Sequence, residues 1–171
     1  MDKKNATSKS CYIFFYTDSN FYINFNVNIL KFMNNEFEQI SLKPGFMKHN
    51  GGILFKTISE NEYEFKTNIK ENHLNAAGIT HGGFIATFID AGAGTAAHRS
   101  ANGSPCVTIS LELKFISAVH LGQELIGITK IQKKTKSMIF LTCELTTKNK
   151  IAATASGVWK ILKLTGAGPG G

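Results

Sequence analysis

Between positions 73 and 90 the chain sets out residues suited to handling an acyl oxyanion: His73-x-Asn75-x-x-Gly78-x-x-His81-Gly82-Gly83, then a lone carboxylate at Asp90. Backbone N–H groups in the first turn of a helix have no intrahelical acceptor, and glycines there admit a ligand without a Cβ in the way. A loop ending in Gly82-Gly83 and opening a helix is such a place. The plainer alternative is that the glycines only permit a tight turn, with His73 and His81 capping or plugging it. A metal role for these histidines lacks support, because no H-E-x-x-H or other close ligand set accompanies them.

Asp90 is the sharper signal. It stands in a stretch otherwise made of Phe, Ile, Ala, Gly and Thr, and no Lys or Arg lies three or four residues away to pair with it. Desolvation of a carboxylate by such neighbours is a means of tuning a general base or nucleophile. The alternatives are an Asp on an exposed helix side, or a buried one bonded to Thr87. Thr108 adds a hydroxyl that could orient a water, read here on the strand face opposite Val107, Ile109 and Leu111. By itself, a strand threonine is most often just a β-former.

These groups need elements to hold them. Glu36 to Ser41, ahead of Pro44-Gly45, reads as a short helix. Gly52 to Ser59 and Glu62 to Ile69 read as a hairpin around Glu60-Asn61. The length and alanine content of Gly83 to Ala97 predict a helix buried on most sides, although Gly92 and Gly94 each cost about 1 kcal/mol relative to Ala. His98-Arg99 suits its C-terminal dipole, and Asn102-Gly103 with Pro105 ends it. From Val107 to Ile116 strict alternation predicts a strand with a core face of Val107, Ile109, Leu111, Leu113 and Phe115. Gln123 to Lys133, Met138 to Thr147 and Ile151 to Leu162 predict three more, joined by short polar turns and therefore antiparallel. Two strands, one buried helix and four strands exclude a doubly wound parallel fold. They point to an α+β architecture, an antiparallel sheet of about six strands curled around one central helix. Open sheet edges and an open helix flank predict self-association.

The segment from His73 to Gly83, with Asp90, the strand from Pro105 to Ser117 and Leu121-Gly122, resembles the hotdog-fold thioesterases of the PaaI-like family over about residues 50 to 162. The resemblance implies a hotdog homodimer, usually paired into a tetramer, with each site at a dimer interface. It implies Asp90 as general base or nucleophile, the Gly82 N–H as polariser of a thioester carbonyl, with Gly83 beside it, and Asn75 and His81 as positioning groups. Thr108 takes the place of a serine that helps hold the attacking water. Coenzyme A is implied near Phe115 and the turn Lys133-Lys134-Thr135-Lys136-Ser137, where charge and hydroxyl or backbone bonds suit phosphates. A solvated turn of a basic protein is the competing explanation. The activity implied is acyl-CoA thioester hydrolysis without a metal or a cofactor, coenzyme A being part of the substrate. A non-catalytic acyl-CoA sensor on the same fold would not need the placed Asp, and for a hydratase His98 is poorly placed.

Composition sets the outer limits. The chain has 171 residues, 43% hydrophobic and 18% charged, which suits one globular domain. Three cysteines without a C-x-x-C pair argue against a disulfide framework or thiolate zinc site and favour a reducing compartment. The net charge is +7, and nine lysines against three glutamates between 112 and 163 anticipate an anionic partner. Nucleic acid is disfavoured, since Arg99 is the only arginine and no reading motif accompanies the lysines. G-x-S-x-G and the P-loop pattern are absent. Residues 1–35, with no Gly or Pro and seven asparagines, read as an appended extension or a targeting segment. Residues 36–164 read as the domain, and 165–171 as a flexible Gly-rich tail. No run reaches the ~18 apolar residues of a membrane span. A cytoplasmic location is expected, a mitochondrial one if the first segment targets.

Overall fold

The computed structural model describes residues 36–163. The expectations for 1–35 and 165–171 lie outside the described residues. Seven strands, β1 (Glu38–Ile40), β2 (Ile53–Thr57), β3 (Glu62–Asn68), β4 (Cys106–Phe115), β5 (Glu124–Lys134), β6 (Met138–Thr147) and β7 (Lys150–Ile161), accompany a one-turn helix α1 (Phe46–His49) and the long helix α2 (Gly82–Ser100). They form one antiparallel sheet in the order β1-β2-β3-β5-β6-β7-β4. Strand β4, which follows α2, is therefore an edge strand.

One face of the sheet packs on α2. The helix buries Phe84, Ile85, Phe88, Ile89, Ala93, Ala96 and Ala97 against alternate residues of β6 and β7, among them Ile139, Leu141, Leu145, Ala153 and Trp159. The two helix glycines, unfavourable by propensity, are explained by this contact. A Cβ on Gly92 would lie 2.4 Å from the Phe65 ring, and one on Gly127 of β5 would lie 2.3 Å from it. The Phe65 ring thus fills the space that both glycines leave, and lets helix and sheet approach closely. Gly94 similarly faces the indole of Trp159, 3.4 Å from where its Cβ would stand.

Two expectations are corrected. Glu36 to Ser41 is not a helix, because Glu38–Ile40 pairs in register with β2 through Glu38↔Phe55 and Ile40↔Ile53. Six residues are too few to repay helix nucleation, whereas an open strand edge supplies partners at once. The Glu38–Arg99 ion pair (2.6 Å) and Lys56 and Lys66 over the Phe37 ring hold the segment, and Ser41 turns the chain away at φ 62°.

The expected core face of β4 also fails: Val107, Ile109 and Phe115 are 42%, 56% and 61% exposed. A register shift between Thr108 and Ser110 leaves Ile109 unpaired, with Thr108↔Trp159 before it and Ser110↔Val158 after it. The side-chain period slips by one at such a bulge. Thr108, Leu111 and Leu113 all face α2, so Thr108 is on the same side as the leucines rather than opposite them. Gly157 makes room, since its Cβ would lie 2.8 Å from the Ser110 carbonyl oxygen. The remaining strands agree with expectation. The β6–β7 hairpin turns on Lys148 (φ 46°) and Asn149 (φ 60°), the positive-φ pair of a tight two-residue turn. Among the described residues no helix is long and apolar enough to cross a membrane.

Candidate active site

The predicted residues gather at three levels along α2. At its N-terminus His81 is the cap, and its Nδ1 accepts the Gly83 N–H at 2.8 Å. That bond occupies one of the free amides expected there, and a Cβ on Gly83 would lie 2.9 Å from Nδ1. The Phe84 and Ile85 amides bond the His81 carbonyl. The Gly82 N–H alone in this turn has no acceptor among the described residues. With Nδ1 accepting, the neutral His81 ring carries its proton on Nε2, a donor facing outward.

The preceding loop is built by its own polar groups. Asn75 Oδ1 accepts from the Ala77 and Ile79 amides (2.9 and 3.3 Å), and the Asn75 N–H donates to the Ile79 carbonyl at 2.8 Å. This is an Asx-type turn, and it leaves Nδ2 as the free end of Asn75. His73 takes the plugging role: it is 1% exposed, stacks on Phe84 (centroids 3.7 Å apart) and bonds the Lys70 amide and the Asn50 carbonyl through its two ring nitrogens. Burial holds its imidazole below the usual range, against the opposing effect of the Asn50 bond. The exposed Phe115 ring stands over Gly82, 3.5 Å from where a Cβ would be.

One level further, Thr108 Oγ1 donates to Asp90 Oδ1 at 2.7 Å. Asp90 is exposed in its own chain, so the desolvation expected of its apolar neighbours is not supplied by that chain; nor does it bond Thr87. The carboxylate is instead fixed from β4, with Oδ2 left to the solvent. It borders a cleft of about 640 Å³ that also takes in Ser41, His98, Cys106, Thr108 and Trp159. His98 is tied through Nδ1 to the Ser104 carbonyl at 2.9 Å. Ser41 and Trp159 were not foreseen as lining residues. Ser41 lay in the segment read as helix, and nothing in the spacing sets Trp159 apart except that it is the only tryptophan.

The lysine turn lies at the far end of α2. Lys134 Nζ donates to the Ser100 carbonyl at 2.7 Å and so serves a helix terminus. Lys133, Lys136 and Ser137 are exposed, and Thr135 Oγ1 shapes the turn by bonding the Ser137 and Met138 amides. Gly82 and Asp90 are eight residues apart, about 12 Å along the helix axis at 1.5 Å per residue. One chain therefore does not bring these two groups to a single carbonyl carbon. Among the phenylalanines, Phe84 and Phe88 are core, while Phe115 and Phe140 are exposed. Among the described residues no group of three or more His, Cys, Asp or Glu is arranged to hold a metal ion.

Known proteins are similar to this chain in sequence and in fold. The thioesterase superfamily model matches residues 77–153, from the Gly82 loop through Asp90 and Thr108 to β7. Mouse acyl-coenzyme A thioesterase 13 is 25% identical over 114 residues, covering 67% of this chain and 81% of that protein. A Pseudomonas aeruginosa protein named as an esterase is 34% identical over 94 residues, covering 54% of this chain and 70% of the relative. The structure of zebra fish thioesterase superfamily member 2 superposes with a TM-score of 0.65 at 22% identity, over 71% of this chain and 90% of that one. A Streptococcus pneumoniae thioesterase protein solved with coenzyme A superposes at 0.60 and 16% identity, over 65% and 89%. These last two likenesses establish the hotdog fold, and the sequence relationships establish the family: this chain belongs to the thioesterase superfamily.

Proposed function

We propose that the protein hydrolyses acyl-CoA thioesters at a site shared between two copies of the chain, Asp90 coming from one and the Gly82 amide from the other. The observation that carries this reading is the Thr108–Asp90 bond, which fixes one carboxylate oxygen and leaves the second facing a cleft. As a general base, Asp90 takes a proton from water while the water oxygen attacks the thioester carbon; as a nucleophile, it attacks that carbon itself and water completes the hydrolysis. In either case charge builds on the carbonyl oxygen. A preorganised N–H aimed at that oxygen stabilises it, and Gly82 has one without another acceptor among the described residues. Collapse of the tetrahedral species expels the coenzyme A thiolate, which takes up a proton from solvent.

Two features support pairing of copies. The axial distance between Gly82 and Asp90 demands a second α2, and β4 is an edge strand with an unpaired backbone and exposed Val107 and Phe115. A homodimer, or a dimer of dimers, covers that edge and supplies the desolvation Asp90 lacks in one chain. His81 and Asn75 act by position, holding the loop that presents Gly82, and Phe115 flanks the carbonyl. Lys133 and Lys136, with Ser137, offer charge and hydroxyl to the nucleotide phosphates.

Thiol release from a panel of acyl-CoAs tests the reaction, with Asp90→Asn as control. The amide keeps the shape and loses the basic oxygen, so activity is expected to fall at least about 10²-fold with the fold intact. Residual activity within about tenfold of the parent would overturn the assignment of Asp90. Binding of acyl-CoA without thiol release would make the protein a sensor.

A further inference from the structure

We infer that Trp159 is a ligand-contacting residue whose indole N–H donates a hydrogen bond to a carbonyl or hydroxyl oxygen of the bound thioester, about one helical turn beyond Asp90. This rests on the reading of the site given above. Trp159 is 1% exposed, yet it borders the cleft that holds Asp90. It is the direct cross-strand neighbour of Thr108, on the same side of the sheet. Its Nε1 faces Gly94, four residues after Asp90, at 3.4 Å from where a Cβ would be.

The fold goes to some length to admit this ring. A Cβ on Gly157 would lie 2.6 Å from it, so glycine is required in β7, and glycine in α2 keeps the opposite side open. Among the described residues Nε1 has no acceptor. An indole N–H that opens from a buried ring onto a cleft is placed to meet an acceptor there, and among the described residues none of the polar groups bordering the cleft is hydrogen-bonded to it. A hydrocarbon chain pressed against this wall would leave the donor unpaired, whereas an oxygen at that depth satisfies it. Acyl thioesters of coenzyme A carry such oxygens on both sides of the sulfur, in the acyl group and in the pantetheine amides.

Since Trp159 is the only tryptophan, the protein has one indole ¹H–¹⁵N cross-peak. In the Asp90→Asn protein, which holds substrate without turning it over, saturation with butyryl-CoA is expected to move that peak downfield. The same movement with coenzyme A alone assigns the acceptor to the pantetheine side, and with butyrate alone to the acyl side. In the parent, Trp159→Phe keeps an aromatic ring but removes the donor, and is expected to raise KM about three- to tenfold with kcat little changed. An indole peak that stays in place while α2 amide peaks report saturation, or an unchanged KM in Trp159→Phe, would overturn the assignment. If thiol release by the parent is intact, such a result strikes Trp159 alone; if the parent releases no thiol from any acyl-CoA, the reading of the reaction fails, and this contact with it.

Discussion

The Lys134 ammonium lies 2.7 Å from the Ser100 carbonyl oxygen, at the C-terminal end of the helix whose N-terminal end presents the Gly82 amide. The three lysines of one turn are thereby divided. Lys134 neutralises a helix terminus, and Lys133 and Lys136 stay in solvent.

That division is measurable. Lys134→Met is expected to lower stability by about 1 kcal/mol, as for a cation lost from a helix C-terminus, with KM for acyl-CoA almost unchanged. Lys133→Met with Lys136→Met should do the reverse, raising KM while kcat, the melting temperature and hydrolysis of a thioester lacking the nucleotide remain those of the parent. Steady-state kinetics beside thermal denaturation separate the two. An unchanged KM in the double variant would identify Lys133 and Lys136 as solvated surface groups.

Thr108 holds Asp90 by its hydroxyl, so the methyl should matter little. Thr108→Ser is expected to retain activity within a few-fold, and Thr108→Val, which keeps the shape and removes the donor, to lower kcat about tenfold or more. Rescue by serine but not by valine in kcat distinguishes a positioning hydroxyl from a packing methyl. Equal losses in both variants would contradict the role.

Much of this arrangement is legible in the sequence because it follows local rules. An Ala-rich, nearly uncharged stretch ending at His98-Arg99 makes a buried helix, alternating apolar residues make strands, and Gly82-Gly83 marks where a helix begins. What escapes those rules is set by distant partners. The β4 bulge depends on Gly157 leaving space for the Ser110 carbonyl, and strict alternation from Val107 to Ile116 conceals it. Strand β1 exists because β2 offers an edge, and the exposed Lys134 turns its Nζ to a helix that ends nearby. The exposure of Asp90 escapes those rules too, because nothing in its apolar sequence neighbours tells that its carboxylate opens on a cleft beside β4.

His73 gives the protein a pH dependence. Burial lowers its pKa in the folded state below the ordinary histidine value near 6.5, so the unfolded chain binds the proton more readily. The stability due to the neutral ring is complete above about pH 6.5 and falls as pH drops from there toward the folded-state value, by at most about 1.4 kcal/mol per pH unit. Denaturant titrations from pH 7.5 to 5 should show this slope in the parent and a shallower one in His73→Gln. Parallel slopes would show that His73 binds its proton equally well in the folded and the unfolded chain.

The shared site is tested most directly by complementation between two inactive variants. Asp90→Asn removes the carboxylate. Gly82→Pro removes the amide donor at the first helical position, where proline is well tolerated, and His81 (φ −62°, ψ 133°) already has the extended backbone that proline requires of its predecessor. In a mixed dimer, the Asp90 of the proline variant meets the Gly82 amide of the asparagine variant, and one of the two sites is whole. Refolding the two together in equal amounts is expected to restore about a quarter of parental activity, because half of the dimers are mixed and each has one intact site. A mixture as inactive as its components would contradict the account, since it would mean that Asp90 and Gly82 of a single chain have to act together.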